Sequence, residues 1–144
     1  MKIFWIFVFC IALFIPTFSI SCTASDGAAS PIAISCDDLQ KQANTAKDVH
    51  LIIGKTLTVS LCSNKTTGFS WPEKAQIDVP KVIEQTGYKW LPPQNTGKVG
   101  VPGIEEYTFK ALQTGTSTIS FGYSRPWQGG EQNVYTLKLN VTVK

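Results

Sequence analysis

Leu57, Val59 and Leu61 alternate with Thr56, Thr58 and Ser60, a period of two that predicts a half-buried β-strand. The same rhythm returns at Tyr107, Phe109 and Ala111. It returns again at Ile119, Phe121 and Tyr123, with Thr118 and Ser120 in the outward phase. Tyr135, Leu137, Leu139, Val141 and Val143 form the longest run and close the chain. Val82-Ile83 and Tyr88-Lys89-Trp90 predict a further strand with a break at Gly87, and His50 to Ile53 a first short one turned by Gly54-Lys55. Turn residues separate these runs at short intervals, and no strong helical period appears. The pattern predicts an all-β fold, an immunoglobulin-like antiparallel β-sandwich occupying 49–144.

Ahead of the alternating body the pattern changes twice. Met1-Lys2 gives a short positive start, Ile3 to Ile15 is an unbroken apolar run, and Pro16 ends it. This is the order of a secretory signal peptide, assigned to 1–21, and the run is short for a membrane span. Ser19 and Ser21 place small residues before Cys22, and Cys22-Thr23-Ala24 offers a second cleavage site. Cys22 is also a candidate lipid attachment residue, which would tether the protein to a membrane. Residues 22–48 read as a linker and N-terminal extension, rich at first in Ala, Ser, Gly and Pro, with Asp37-Asp38 suited to begin a short helix. The expected location is secreted, periplasmic or at the cell surface.

Cysteine parity sharpens this reading. Cleavage after Ser21 leaves Cys22, Cys36 and Cys62, an odd number. If Cys22 is lipidated or removed, Cys36 and Cys62 can pair. Cys62 shares its phase with Thr56, Thr58 and Ser60 and so faces away from the core, where a segment crossing the outer surface can reach it. Closing a loop of roughly 25 residues would stabilise the fold by about 3.5 kcal/mol, and the alternative is two free thiols.

The chain has 144 residues, room for one core, and its 11% aromatic and 16% charged residues are the composition of a folded domain. A formal charge of +3 with scattered lysines and a single arginine, Arg125, is too small to imply a nucleic-acid partner, and none is expected. One histidine and four cysteines provide no zinc spacing, so neither metal nor cofactor is expected.

Three loops carry more chemistry than strand connections need. Asn64-Lys65-Thr66-Thr67-Gly68-Phe69 follows a strand directly, with Asn64 able to cap a turn and Gly68 free to take positive φ. Gly97-Lys98-Val99-Gly100-Val101-Pro102-Gly103 places three glycines in seven residues without a phosphate-loop pattern. Arg125-Pro126-Trp127-Gln128-Gly129-Gly130 presets a loop with proline and offers a rigid indole at low entropy cost. In a sandwich these three turns can gather at one end.

In this order, on alternating strands, the loops resemble the chagasin-type (ICP) family of cysteine peptidase inhibitors. The family's first motif, Asn-Pro-Thr-Thr-Gly-Phe/Tyr, is matched by 64–69 with Lys65 in place of proline. Its Gly-x-Gly-Gly is matched by Gly100-Val101-Pro102-Gly103, with Pro102 in place of a glycine. Its Arg-Pro-Trp is matched by Arg125-Pro126-Trp127. The resemblance covers roughly residues 49 to 144 and implies an immunoglobulin-like fold and reversible, tight inhibition of papain-like (clan CA) peptidases. It implies that Asn64, Thr66, Thr67, Gly68 and Phe69 form a wedge in the catalytic cleft. Gly100, Val101 and Gly103, with Arg125, Pro126 and Trp127, would grip its two sides. The inhibitor would act as a monomer.

Two other readings compete. A thiol hydrolase pairing His50 with Cys62 lacks a nucleophile elbow, and the chain is not expected to be an enzyme. An extracytoplasmic Ig-like binding or adhesion module, without inhibitory activity, could stack carbohydrate on Trp71, Trp90 and Trp127 or bind protein.

Overall fold

The computed structural model describes residues 29–94 and 97–144; the signal segment and Cys22 lie outside the described residues. The strands are β1 (Ile32–Ile34), β2 (Asn44–Leu51), β3 (Thr56–Ser63), β4 (Gln76–Ile77), β5 (Ile83–Leu91), β6 (Gly103–Ala111), β7 (Gly115–Tyr123) and β8 (Tyr135–Val143). One helix, α1 (Cys36–Lys41), lies between β1 and β2. Two four-stranded sheets, ordered β1-β3-β6-β5 and β2-β8-β7-β4, form the sandwich.

The inward phase of each strand makes the core, as alternation requires. Leu57, Val59, Leu61, Tyr107, Phe109, Ala111, Ile119 and Leu139 are fully buried between the sheets. Tyr107 packs edge-on to Phe121 with ring centroids 4.9 Å apart, and Trp71 tilts onto Tyr123 at 5.0 Å. The break expected at Gly87 is a shift of register in the β5–β6 pairing between Gln85 and Gly87. Such a bulge re-aims the strand that follows it.

Three features differ from expectation. The folded unit begins before residue 49, because β1 pairs with β3 and β2 runs beside the whole of β8. Both of these pairings are parallel, whereas all others are antiparallel. Alternation reports which phase of a strand is buried but carries no information on its direction or partner. Finally, Trp71 is a core residue, 2% exposed, whose indole Nε1 donates to the Cys62 carbonyl at 2.9 Å.

Helix α1 forms where the acids suggested. Ser35 caps it reciprocally: its side chain accepts from the Asp38 amide at 3.1 Å, and the Asp38 carboxylate accepts from the Ser35 amide at 3.0 Å. The helix brings Cys36 onto the outer face of β3, where it forms a disulfide with Cys62, the two Cα atoms 5.2 Å apart. Cys62 is only 8% exposed despite its outward phase, because this N-terminal segment covers it.

Candidate functional site

Strands β3 and β5 both run antiparallel to β6, so they end together beside the start of β6. An isolated bridge between Ser70 and Ser124 draws the end of β7 to the same place. Residues 64–69, the described part of 92–102, and 124–134 therefore meet at one end of the sandwich.

The first loop is a closed turn. Asn64 caps a 3-10 turn over Lys65–Thr67, with the Thr67 amide donating to the Asn64 carbonyl and the Gly68 amide to the Lys65 carbonyl, both at 3.1 Å. The hydroxyls turn inward too: Thr66 Oγ1 donates to Asn64 Oδ1 at 2.6 Å and Thr67 Oγ1 to the Asn64 carbonyl at 2.7 Å. Asn64 is also the hub between loops. Its backbone N–H donates to the Tyr123 hydroxyl at 2.8 Å, and its Nδ2 donates to the Gly100 carbonyl at 2.9 Å. Thr66 and Thr67 remain exposed at the tip.

Gly68 ends the turn at φ 81°, in the left-handed region, and the Trp127 ring rests on it. A Cβ at position 68 would lie 2.5 Å from Trp127 Cη2. Only glycine satisfies both the conformation and the contact. Trp127 is nonetheless 52% exposed, so the first and third loops share a surface with the indole as its largest open apolar face.

The third loop is braced by backbone and amide bonds. The Arg125 amide donates to the Glu131 carbonyl at 2.8 Å and the Gly130 amide to the Trp127 carbonyl at 3.0 Å. Gln132 Nε2 donates to the carbonyls of Arg125 and Gly130, at 2.7 and 3.0 Å. The Arg125 guanidinium lies 4.4 Å from the Phe69 ring centroid and 5.8 Å from that of Trp127. Its buried Nε has no hydrogen-bond partner among the described residues, so the ring faces are what hold the cation. Phe69 in turn stacks on Tyr123 at 5.5 Å, which makes it a brace beneath the tip.

In the second loop Gly100 and Val99 are exposed, Val101 is half-buried, and Gly103 is buried at the start of β6. A Cβ on Gly103 would lie 2.5 Å from both Trp90 Cη2 and the Leu91 carbonyl oxygen, so this glycine makes room for the Trp90 indole.

Several supporting residues carried no loop motif. Glu105 is fully buried. Its Oε1 accepts from the Trp71 amide at 3.2 Å and its Oε2 from the Tyr88 hydroxyl at 2.9 Å. The Tyr107 hydroxyl lies 3.4 Å from the same Oε2 and 3.0 Å from the Pro72 carbonyl, which compete for its one proton. Burial first, then the bond to Glu105, pushes the Tyr88 hydroxyl well above the usual phenol range. Burial and the Glu105 charge do the same to Tyr107. A signal for Glu105 existed in the sequence, since it lies in the inward phase of Tyr107, Phe109 and Ala111.

The competing chemistry finds no place. Cys62 is in a disulfide and His50 is exposed on β2, so they form no thiol dyad. With Trp71 in the core, a row of three stacking tryptophans is also absent.

Comparison with known proteins bears on the family and the fold. Residues 50–141 match the model of the chagasin family peptidase inhibitor I42. Amoebiasin-2 of Entamoeba histolytica is 31% identical over 96 residues, covering 67% of this chain and 76% of that protein. Chagasin of Trypanosoma cruzi is 26% identical over 97 residues, covering 61% of this chain and 81% of that protein. Among solved structures, a cysteine protease inhibitor of Entamoeba histolytica superposes with a TM-score of 0.62 at 24% identity, covering 79% of this chain and 96% of its own. PbICP-C, solved in complex with falcipain-2, gives 0.58 at 20% identity, covering 78% and 99%. At these identities the two structures speak to the fold, and the matched family model speaks to kinship. The chain belongs to the chagasin family of peptidase inhibitors and is a cysteine peptidase inhibitor, not an enzyme.

Proposed function

We propose that the end of the sandwich carrying Thr66, Thr67 and Gly68 blocks the catalytic cleft of papain-like cysteine peptidases, reversibly and tightly. Gly100, Val101 and the Arg125-Pro126-Trp127 loop flank the tip and grip the walls of the cleft. Asn64, Phe69 and Gly103 act from behind, holding the three loops in one arrangement. The observation that carries this reading is the mutual contact of the loops, above all the Trp127 ring seated on Gly68. The complex of PbICP-C with falcipain-2 is consistent with it.

A papain-like peptidase attacks an extended substrate carbonyl with a thiolate beside an imidazolium. Here the tip is wound into a 3-10 turn whose Asn64 and Lys65 carbonyls are bonded back to Thr67 and Gly68. No extended peptide is offered on the line of attack, so the tip fills the cleft without being cut. Because the loops brace one another, little ordering remains to be done on binding. An interface of about 1,600 Å² can then be tight.

The same reading includes export by the signal peptide to a secreted, periplasmic or cell-surface location, with lipidation of Cys22 as one route of attachment. The Cys36–Cys62 disulfide supports an oxidising compartment. Mass spectrometry of the mature N-terminus checks it: an unmodified Cys22 removes the lipid, and a retained Met1 removes the signal cleavage.

Titration of the recombinant domain into papain with a fluorogenic substrate tests the central claim. Stoichiometric loss of activity is expected. Retention on a glycan array with papain left fully active would favour the adhesion module instead.

A further inference from the structure

Lys65 stands where the family's first motif has proline, and its surroundings are unusual for an exposed lysine. Its ammonium lies 4.6 Å from the Trp90 ring centroid, 6.0 Å from that of Tyr88, and donates to the Tyr88 hydroxyl at 3.3 Å. The Tyr88 hydroxyl in turn donates a hydrogen bond to Glu105, whose carboxylate is fully buried one strand further in. A cation at the loop tip is thus joined through one phenol to an interior anion. The Trp90 indole beneath it is fixed in place, since its ring edge fills the space that Gly103 leaves open. The same carboxylate also accepts from the Trp71 amide, just beyond the exit of the loop. Entry and exit of the first loop are therefore tied to a single buried group.

We propose that Lys65 is a positioning residue, a latch that fixes the Thr66-Thr67-Gly68 tip by clamping its ammonium on Trp90 and Tyr88. It does from outside what proline would do from within. Proline stiffens the turn by fixing φ, which lowers the entropy lost on ordering. Lysine adds backbone freedom, and the clamp removes it by anchoring the far end of the side chain in a cation–π and hydrogen-bond seat. The backbone itself still suits the missing residue. Position 65 is the first of a 3-10 turn, where an amide has no partner within the turn, and Asn64 before it, at φ −112° and ψ 85°, lies outside the helical region that a following proline disfavours.

The proposal rests on the cleft-blocking reading, and the test separates the two. Lys65→Met, Trp90→Leu, the double variant and Lys65→Pro are compared by their inhibition constants for papain. Exchange of the Thr67 and Gly68 amides is followed in the free proteins. Lys65→Met should weaken inhibition about three- to tenfold, chiefly through faster dissociation. The double variant should be no weaker than the weaker single one, and Lys65→Pro should return to within about twofold of the parent. Amide exchange at Thr67 and Gly68 should quicken in Lys65→Met and slow again in Lys65→Pro, while the melting temperature stays put. Additive losses in the double variant would mean that Lys65 touches the peptidase itself, and the latch would be wrong. Unchanged exchange in Lys65→Met would also overturn it. If the parent protein leaves papain active, the cleft-blocking reading falls, and the exchange data still decide the latch.

Discussion

Replacing Gly68 with alanine perturbs the point where the indole of the third loop rests on the first. Two costs can be worked from the geometry. A side chain at φ 81° adopts the left-handed region, at roughly 1–2 kcal/mol for a residue with a Cβ. The new methyl would also lie 2.5 Å from Trp127 Cη2, so the indole must retreat by roughly 1 Å to reach ordinary carbon–carbon contact. The first cost belongs to the fold and should lower the melting temperature by roughly 3–10 °C. The second belongs to the binding surface and should weaken papain inhibition at least about tenfold beyond any effect of unfolding. A cycle with Trp127→Ala isolates the second term. Without the indole, Gly68→Ala should keep its thermal penalty and lose most of its further effect on inhibition. Equal inhibitory cost of Gly68→Ala in both backgrounds, within about 0.5 kcal/mol, would refute the idea that the indole is seated on residue 68 for a purpose.

Three further outcomes follow from the same structure. Trp127 is 52% exposed, so roughly 130 Å² of indole is free to be buried in a complex. At about 25 cal/mol per Å², Trp127→Ala should weaken inhibition by about 3 kcal/mol with little change in melting temperature, and an unchanged inhibition constant removes the anchor role. Replacing both Cys36 and Cys62 with serine should cost about 3.5 kcal/mol in denaturant unfolding, from their sequence separation of 26. Tyr88 and Tyr107 both have hydroxyls pushed above the phenol value of 10.0, so their contribution to stability is whole below pH 10 and falls as pH rises above it. Thermal melts should therefore show an alkaline decline beginning near that pH, and Tyr88→Phe, which keeps the ring but removes the hydroxyl, should make the decline shallower.

The sheet interior was legible because alternation is a direct record of burial. Leu57, Tyr107, Ile119 and Leu139 each lie in the core phase that the sequence pattern assigns them. Cys62 and Cys36 could be paired for the same reason, since phase alone placed Cys62 on the outside. What alternation does not encode is direction and partner. The parallel pairing of β1 with β3 and of β2 with β8 depends on α1 carrying the chain from one sheet edge to the other, and three residues at 32–34 are too few to show a period. The site divides in the same way. The exposed motif residues were visible as motifs, whereas their supports were hidden in strands. Tyr123 looked like another core aromatic, yet its hydroxyl receives the Asn64 amide. Glu105 was the detectable exception, because an acid in an inward phase has to be paired with donors and so announces a network.

The bracing of the loop end has a consequence for how such a surface can discriminate among peptidases. The Thr66 and Thr67 hydroxyl protons, the Asn64 amide and the Thr67 and Gly68 amides are all spent on bonds inside the protein. Under the cleft-blocking reading, the tip can therefore recognise its target mainly by shape and by the outward lone pairs of those same oxygens. Features shared by every papain-like cleft suit such a tip, which makes it a poor discriminator. Selectivity must then come from the flanks, where Val99 is fully exposed and Trp127 half so. Apolar contacts of this kind distinguish enzymes by the pockets they meet, at about 1–3 kcal/mol for a methylene or two. Exchanging Val99 for alanine or leucine should accordingly reorder inhibition constants across a panel of papain-like peptidases, whereas Thr67→Trp should raise all of them in parallel, weakening inhibition without unfolding the domain. A Thr67→Trp variant that spares one peptidase and not another would place discrimination at the tip and contradict this division of labour.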